Sequence, residues 1–522
     1  MPPPAPTANR QIARAAGTVM VAFVLSNLAG LLRQILVANA FGTGMDIEAF
    51  NAANRVVETL FNLGAGGALA SAFIPTLTGL LTLGDRRGAW QLISATANLL
   101  LLGLSSAALL AAFFAPQVVR YLLAPGFAAD LPKEALTANL LRLMLPSVTL
   151  FALSGLVMGT LNAHQVFLVP ALTPAMYKLG MIFGVLALSP KMGIYGLAWG
   201  VVIGAGLHLG LQIPSLLQQR GQYFATLGLH FQPVRQVMRL MAPRLFGVAV
   251  VQLNFWVNTR LASHQPEGSV TGIVLGFTLM LMPQAAIAQS IATAAMPTFS
   301  VQAARGRLDE MRASLAASLR GVLLFSLPAT FGLILLRKPL VALLYQRGEF
   351  TAHSTELVAW ALLWYAAGLV GHSVVEILAR AFYSLKDTRT PVVVGAAAMG
   401  LNIALSVIFS ALFAHVGWMP HGGLALANSL ATALEMIGLL LLMRRRLNGL
   451  EGRNVFLGAG QAALASLAMT LALWFWLDRM PGRANWLIAG GGVMLGAGVY
   501  GLGMLILGVR EARNLIRIIL RK

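Results

Sequence analysis

The chain has 522 residues, of which 58% are hydrophobic and 10% charged, with a mean hydropathy of +0.77. This composition excludes an ordinary soluble domain and indicates a polytopic membrane protein. The formal net charge of +20 would suggest nucleic acid binding in a soluble protein, but in a membrane protein cytoplasmic loops rich in cations explain it first. Because cysteine is absent, disulfides and thiolate metal sites are excluded as well.

Long apolar runs recur along the whole chain. About 20 apolar residues span the hydrocarbon of a bilayer, and these runs are too long for the strands of a barrel. We therefore predict an all-α polytopic membrane protein with about 14 transmembrane helices. The predicted spans are residues 18–40, 48–81, 90–115, 135–161, 167–188, 193–217, 238–261, 271–299, 314–336, 355–383, 391–414, 422–443, 455–477 and 485–509.

Charged and amide side chains interrupt the first two predicted spans. Arg33 and Asn27 lie in the first span, and Arg55 and Glu58 lie three residues apart in the second. A charge at membrane depth costs roughly 2.5–3.5 kcal/mol on lenient insertion scales, so it should face a partner or a watered cavity. We predict a polar chamber inside the helical bundle, walled by the remaining spans.

Short segments recur at nearly constant spacing and indicate an internal repeat. Pro75 in SAFIPTLTG corresponds to Pro297 in TAAMPTFSV, 222 residues later. Phe127 in LLAPGF corresponds to Phe350 in LLYQRGEF, 223 residues later. An even number of spans per copy keeps the orientation, so we predict two parallel six-helix lobes followed by two extra helices. The predicted divisions are a cytoplasmic lead (1–17), an N-lobe (18–220), a C-lobe (235–443), a two-helix appendage (455–509) and a basic amphipathic cytoplasmic tail (510–522).

The distribution of lysine and arginine predicts the orientation. With the N-terminus inside, 21 of these residues lie at cytoplasmic ends of the predicted spans and 8 lie at the opposite ends. This asymmetry predicts that both termini are cytoplasmic and that the number of spans is even.

Five motifs carry a resemblance to a known family. They are LLAPGF (122–127), LNAHQVFLVPALTPAMYKLGMI (161–182), APRLFGVAVVQLNFWVNTRLAS (242–263), LLYQRGEFT (343–351) and LARAFYSLKDTRTPV (378–392). In these motifs the chain resembles the MurJ/MviN family of lipid II flippases, within the multidrug/oligosaccharidyl-lipid/polysaccharide exporter superfamily. The likeness covers most of residues 18–415.

The resemblance implies a function and a setting. It implies two lobes around a central cavity, alternating access, and a groove at spans 13 and 14 for a lipid tail. The cargo would be lipid II, the undecaprenyl-diphosphate-linked peptidoglycan precursor, moved from the inner to the outer leaflet of the bacterial cytoplasmic membrane. The expected protein is a monomer that contacts membrane lipids and no nucleic acid, has no cofactor, and is driven by an ion gradient or the membrane potential.

The chain departs from the family pattern at several charged positions. Gln34 follows Arg33 where the family often has an acid. Other family charges correspond to neutral residues here, namely Asn27 in the first span, Phe61 and Asn62 in the second, and Thr278 in the eighth. These departures leave open an exporter of another lipid-linked oligosaccharide or polysaccharide.

Six residues are predicted to bind substrate. They are Arg33, Arg55, Glu58, Asn27, Arg260 and Asn258. A guanidinium fork pairs with phosphate oxygens bidentately, so Arg33 is the principal candidate for the diphosphate. Each charge also has a structural alternative: Arg33 as a snorkelling helix-end residue, Arg55 with Glu58 as a self-neutralised pair, and Arg260 as an interfacial anchor.

Four residues are predicted to serve an ion or a gate. They are Glu58, Glu48, Glu376 and Arg380. The sequence favours the structural alternative in two cases: a solvated loop acid for Glu48, and a structural pair four residues apart for Glu376 with Arg380. A cation-coupled drug exporter, using Glu58, Glu376 or Glu435 as its ion site, and a non-transporting scaffold are rival functions. The histidines lack ligand spacing and predict no metal site, and Lys178 is assigned no role.

Overall fold

The computed structural model describes residues 8–64 and 67–509. Every regular element in these residues is a helix, which confirms the all-α prediction. Contacts divide the chain into two compact units, one ending at His264 and the other beginning at Gln265. The helix of predicted span 7 therefore packs with the first unit, while the predicted lobe boundaries stay a prediction.

The first unit contains twelve α-helices within its described residues. Their bounds are α1 (Ala8–Phe41), α2 (Met45–Gly64), α3 (Gly67–Thr82), α4 (Arg86–Phe113), α5 (Ala115–Gln117), α6 (Leu131–Met144), α7 (Pro146–Ala163), α8 (Leu168–Phe183), α9 (Ser189–Met192), α10 (Ile194–Gly210), α11 (Ile213–Leu217) and α12 (Gln232–Ser263). A π-helical turn (Val118–Leu123) and a 3-10 turn (Pro125–Ala129) join α5 to α6, and a second π-helical turn (Gly184–Leu188) follows α8. Helix α1 packs on α8, and α2 packs on α6, α7 and α12.

Glycines set a close approach between α8 and α10. A methyl group added at Gly180 would lie 2.3 Å from the Cα of Gly204, and one added at Gly184 would lie 2.6 Å from the carbonyl oxygen of Gly196. Small residues let membrane helices pack backbone to backbone where no hydrophobic effect drives their association. This close packing against α10 holds α8, which carries Tyr177 and Lys178, at a defined position beside α1.

The second unit contains nine α-helices within its described residues. Their bounds are α13 (Ser269–Gln284), α14 (Ser290–Ala304), α15 (Leu308–Tyr345), α16 (Ala352–Ala367), α17 (Leu369–Ser384), α18 (Arg389–Val416), α19 (His421–Arg446), α20 (Gly452–Arg479) and α21 (Asn485–Ile506). A π-helical turn (Ala285–Gln289) joins α13 to α14. The last two helices pack on each other and on α15.

Described helices lie at the place of each predicted span, but fewer than the predicted 14 are long and apolar enough to count as spans. Eleven helical segments are long and apolar enough to cross a membrane, and the pair α16 and α17, bent by 48°, makes a twelfth. The two other predicted spans fall on α1 and on α2 with α3. On span 48–81, α2 carries four charged residues, and the apolar part of α3, Ala72–Thr82, is short.

The motif at 378–392 forms a corner between α17 and α18. Lys386 adopts a positive φ of 60°, and the Asp387 carboxylate accepts from the backbone N–H of Thr390 at 3.0 Å. Arg446, at the end of α19, donates to the same carboxylate at 3.1 Å. The Thr390 N–H is the main cause that holds the pKa of Asp387 below its usual range. The corner therefore fixes the ends of three helices.

Candidate functional site

Arg33 of α1 and Lys178 of α8 each reach across the seam between these two helices. The Lys178 Nζ donates to the carbonyl oxygen of Ser26 at 2.7 Å and to its hydroxyl at 2.9 Å. Gly30 leaves room for this contact, because a methyl group there would lie 3.2 Å from the Lys178 Nζ, a tight approach. Arg33 lies one turn further along α1 and donates to the Met181 thioether at 3.4 Å. The seam therefore concentrates two positive charges between half-buried helix faces.

Arg33 has a weak partner in this position. A thioether sulfur is a poor acceptor, and within residues 8–64 and 67–509 the Arg33 guanidinium forms no ion pair. Lys178 also interacts electrostatically with Arg33, and the Tyr177 hydroxyl interacts with both Arg33 and Glu58. The charges that the sequence assigns to spans 1 and 2 therefore converge on α8.

Arg55 and Glu58 form the predicted pair on α2, which confirms that they interact. The Arg55 Nη1 lies 2.9 Å from the Glu58 Oε2, and the Asn54 amide donates to the other carboxylate oxygen at 2.9 Å. Arg55 also lies over the Phe255 ring of α12 at 4.8 Å. Its buried Nε has no hydrogen-bond partner in the described part of the chain. One donor of this guanidinium thus remains for a ligand.

Helix α12 adds a polar face to the same region. The Trp256 indole N–H donates to the Thr59 hydroxyl at 2.7 Å, and the hydroxyl lies 3.2 Å from the Gln252 side-chain oxygen. Asn258 donates to Asn254 at 3.2 Å, and both are buried. Two predicted substrate contacts thus have different settings: Asn258 is inside the first unit, whereas the side chain of Asn27 is exposed.

Glu48 is buried, so the expectation of a solvated loop acid is wrong. Its carboxylate lies 2.6 Å from the Lys133 Nζ, and the side chains are 2% and 10% exposed. Lys133 also lies over the Phe127 ring at 4.3 Å. The first turn of α2 packs against α6, and this contact excludes water from the acid while supplying its counter-charge.

Arg260 contacts the backbone of the LLAPGF segment. It is exposed and donates to the carbonyl oxygens of Tyr121 and Leu122 at the end of the π-helical turn. In the same loop, the Gly126 N–H donates to the Ser263 hydroxyl at 3.1 Å. A Cβ at Gly126 would lie 2.1 Å from the Ser263 carbonyl oxygen, so only glycine fits. These contacts favour the anchoring alternative for Arg260.

Glu376 and Arg380 lie in the second unit and form the predicted intrahelical pair. The Arg380 Nη2 lies 2.7 Å from the Glu376 Oε1, and the two side chains are about equally buried. Glu435 lies on α19, where a methyl group at Gly395 would be 3.3 Å from its carboxylate. Among the described residues, no group of three or more His, Asp and Glu could hold a metal ion.

Sequence reasoning missed two cations, Lys178 and Lys133. No local pattern marks either lysine as the partner of a residue distant in the sequence. The sequence holds a weak signal for each. Ser26 and Gly30 lie one turn apart in span 1 and form a face of small residues against which a long side chain can pack. Lys133 lies at the start of α6, shortly after the LLAPGF motif.

Comparisons with known proteins agree with this architecture. The model of the family described as "Lipid II flippase MurJ" matches residues 37–487. The chain is 32% identical over 527 residues to the probable lipid II flippase MurJ of Vibrio cholerae serotype O1, covering 97% of this chain and 98% of that protein. It is 30% identical over 444 residues to the lipid II flippase MurJ of Burkholderia cenocepacia, covering 83% and 84%.

Solved structures give the same result. "Lipid II flippase MurJ, inward closed conformation" matches with a TM-score of 0.81 at 25% identity, over 95% of this chain and 99% of that one. An inward-facing multidrug resistance MATE family transporter of the MOP superfamily matches with a TM-score of 0.67 at 14% identity, over 82% and 96%. The second likeness concerns the fold alone. The family model and the two relatives extend over most of the chain, and the chain therefore belongs to the lipid II flippase MurJ family.

Proposed function

We propose that the protein moves lipid II from the inner to the outer leaflet of the cytoplasmic membrane by alternating access. The observation that carries this proposal within the molecule is the cation pair of Arg33 and Lys178 on the α1–α8 seam. A diphosphate keeps its charge throughout translocation, so a flippase needs cations at membrane depth to replace its lost hydration. The step is transport, and no bond of the lipid is made or broken.

Arg33 and Lys178 would hold the diphosphate together. The guanidinium provides a planar fork for two phosphate oxygens, and the ammonium is a point charge whose remaining proton can reach a third. Lys178 would thereby compensate for family arginines that Asn27, Phe61 and Asn62 replace in this chain. Asn258 and the polar face of α12 would contact the saccharide.

The Arg55–Glu58 pair would act as the gate of this site. Within the described part of the chain the buried Arg55 Nε has no hydrogen-bond partner, and the Glu58 side chain is 46% exposed, so the pair is only partly desolvated. A phosphate competing for Arg55 would release Glu58, which could then take up a proton. In the second unit, Glu376 with Arg380 is a further candidate for coupling to an ion gradient or the membrane potential. Glu48 is held by Lys133 and is better suited to a fixed structural charge.

The rival functions have weaker support. MATE-type drug exporters share the fold at low sequence identity, whereas the family model and both relatives carry the lipid II flippase description. An exporter of another lipid-linked saccharide would use the same diphosphate contacts. Only the identity of the lipid that is moved distinguishes it from a lipid II flippase. We further propose that the protein acts as a monomer, needs no cofactor and binds no nucleic acid.

The experiment that tests the function is replacement of a strain's own lipid II flippase. A strain depleted of that protein should grow and expose lipid II at the outer leaflet when this chain is expressed. The control is the Arg33→Ala variant, present in the membrane at the same level as the wild-type protein. Failure of the wild-type chain to restore growth and exposure, with restored export of a different lipid-linked saccharide, would establish the rival cargo.

The proposed orientation has its own test. Single cysteines at residues 86, 220, 306 and 445 of this cysteine-free chain should react only from the cytoplasmic side, and one at residue 483 only from outside. The contact of the Arg86 guanidinium with the Gln219 carbonyl oxygen, at 2.6 Å, supports one shared side for two of these positions. Labelling of residue 86, 220, 306 or 445 in intact cells by an impermeant reagent would overturn the orientation.

A further inference from the structure

The second unit forms a partly open apolar cavity of about 770 Å³ between α15, α17, α19 and α20. Its walls include Leu319, Val374, Leu440, Phe456 and Ala459. The size lies within the range of roughly 300–1,000 Å³ that is typical of small-molecule sites. The cavity is separate from the α1, α2 and α8 cluster, which lies in the first unit.

Charged residues stand only at one end of this cavity. Arg444, at the end of α19, and Arg453, at the start of α20, line it together with Glu451. The Glu451 carboxylate accepts from the Asn454 amide at 3.2 Å. In residues 8–64 and 67–509, neither arginine forms an ion pair. The end of the cavity thus carries two guanidinium groups against one carboxylate.

We propose that this cavity binds an anionic glycerophospholipid of the membrane. One acyl chain would lie among the apolar side chains, and the phosphate would accept from Arg444 and Arg453. Basic pockets between membrane helices at a cytoplasmic end suit anionic lipid head groups. The excess of positive charge selects against a zwitterionic head group, whose ammonium adds a third cation with only Glu451 to oppose it. The phospholipid would come from the inner leaflet, because the proposed orientation places the charged end of the cavity on the cytoplasmic side. This inference does not depend on which cargo the protein moves.

The test is lipid binding to the full-length, delipidated protein in detergent, measured by native mass spectrometry. Phosphatidylglycerol should bind the wild-type protein at least about tenfold more tightly than phosphatidylethanolamine. The variant Arg444→Gln/Arg453→Gln should lose this preference. The matched control Arg389→Gln/Arg445→Gln removes the same charge from exposed residues outside the cavity and should keep it. Equal loss in both double variants would mean surface charge alone and would overturn the proposal.

Two further arms identify the occupant. Ala459→Phe fills the cavity and should weaken phosphatidylglycerol binding about tenfold with the arginines intact, because the acyl chain loses its place. Glycerol phosphate, which has no acyl chain, should not compete at the same concentration. Displacement of phosphatidylglycerol by equimolar undecaprenyl phosphate would assign the cavity to the cargo's tail and overturn the proposal. Competition by glycerol phosphate would show that the site binds only the phosphate and not the acyl chain, and it would also overturn the proposal.

Discussion

Replacing Arg33 with alanine is expected to reduce flipping at least about 100-fold, because the variant loses a bidentate contact of two charge-assisted hydrogen bonds. Among the described residues the guanidinium donates only to a thioether, which is a weak acceptor and competes poorly with a diphosphate. Membrane insertion should be unchanged or better, since an intramembrane charge is removed. The measurement is lipid II accessibility at the outer leaflet in cells relying on this protein, normalised to its amount in the membrane.

Three companion variants separate binding from a general loss of charge. Arg33→Lys keeps the charge without the fork and should be intermediate, and Lys178→Met should reduce flipping less than Arg33→Ala. Arg142→Ala is the control, because among the described residues this exposed arginine donates only to the Ala112 carbonyl oxygen and the Asn139 side chain. If the Arg33→Ala variant flips lipid II at the wild-type rate, Arg33 only anchors the end of its helix. The proposed diphosphate site at Arg33 and Lys178 is then refuted.

Glu48→Ala is expected to destabilise the protein by about 3–5 kcal/mol, because it leaves the Lys133 ammonium buried without its counter-charge. The two side chains are 2% and 10% exposed, so solvent cannot replace the lost carboxylate. A lower midpoint of thermal unfolding for the purified protein in detergent is the measurement. The effect should appear as loss of folded protein rather than as altered transport per molecule.

A second pair in the same chain provides a matched control for this effect. Lys338 and Glu356 are also 2.6 Å apart, but their side chains are 53% and 50% exposed. Glu356→Ala should therefore cost only about 0–1 kcal/mol. The double variant Glu48→Ala/Lys133→Met should recover much of the loss, since no unpaired buried charge remains. Equal destabilisation by the two single glutamate variants would show that burial does not govern the Glu48–Lys133 pair.

What the sequence by itself determined is local. Hydropathy predicts each span because the bilayer imposes one length on every helix that crosses it, and every predicted span falls on a helix or on consecutive helices. Helical periodicity likewise predicts the pairs Arg55–Glu58 and Glu376–Arg380, because residues three or four apart share a helix face whatever the surrounding fold.

Only the tertiary structure decided the partners of the remaining charges. Lys178 reaches Ser26 across 152 residues of chain, Glu48 reaches Lys133 across 85, and Arg260 reaches Tyr121 across 139. Each contact depends on which helices pack together and how closely, and glycines such as Gly30 and Gly126 permit two of the approaches. A single lysine or glutamate in an apolar span carries no local signal of its partner. The burial that turns Glu48 from an expected solvated acid into a paired internal charge therefore arises only when α2 meets α6.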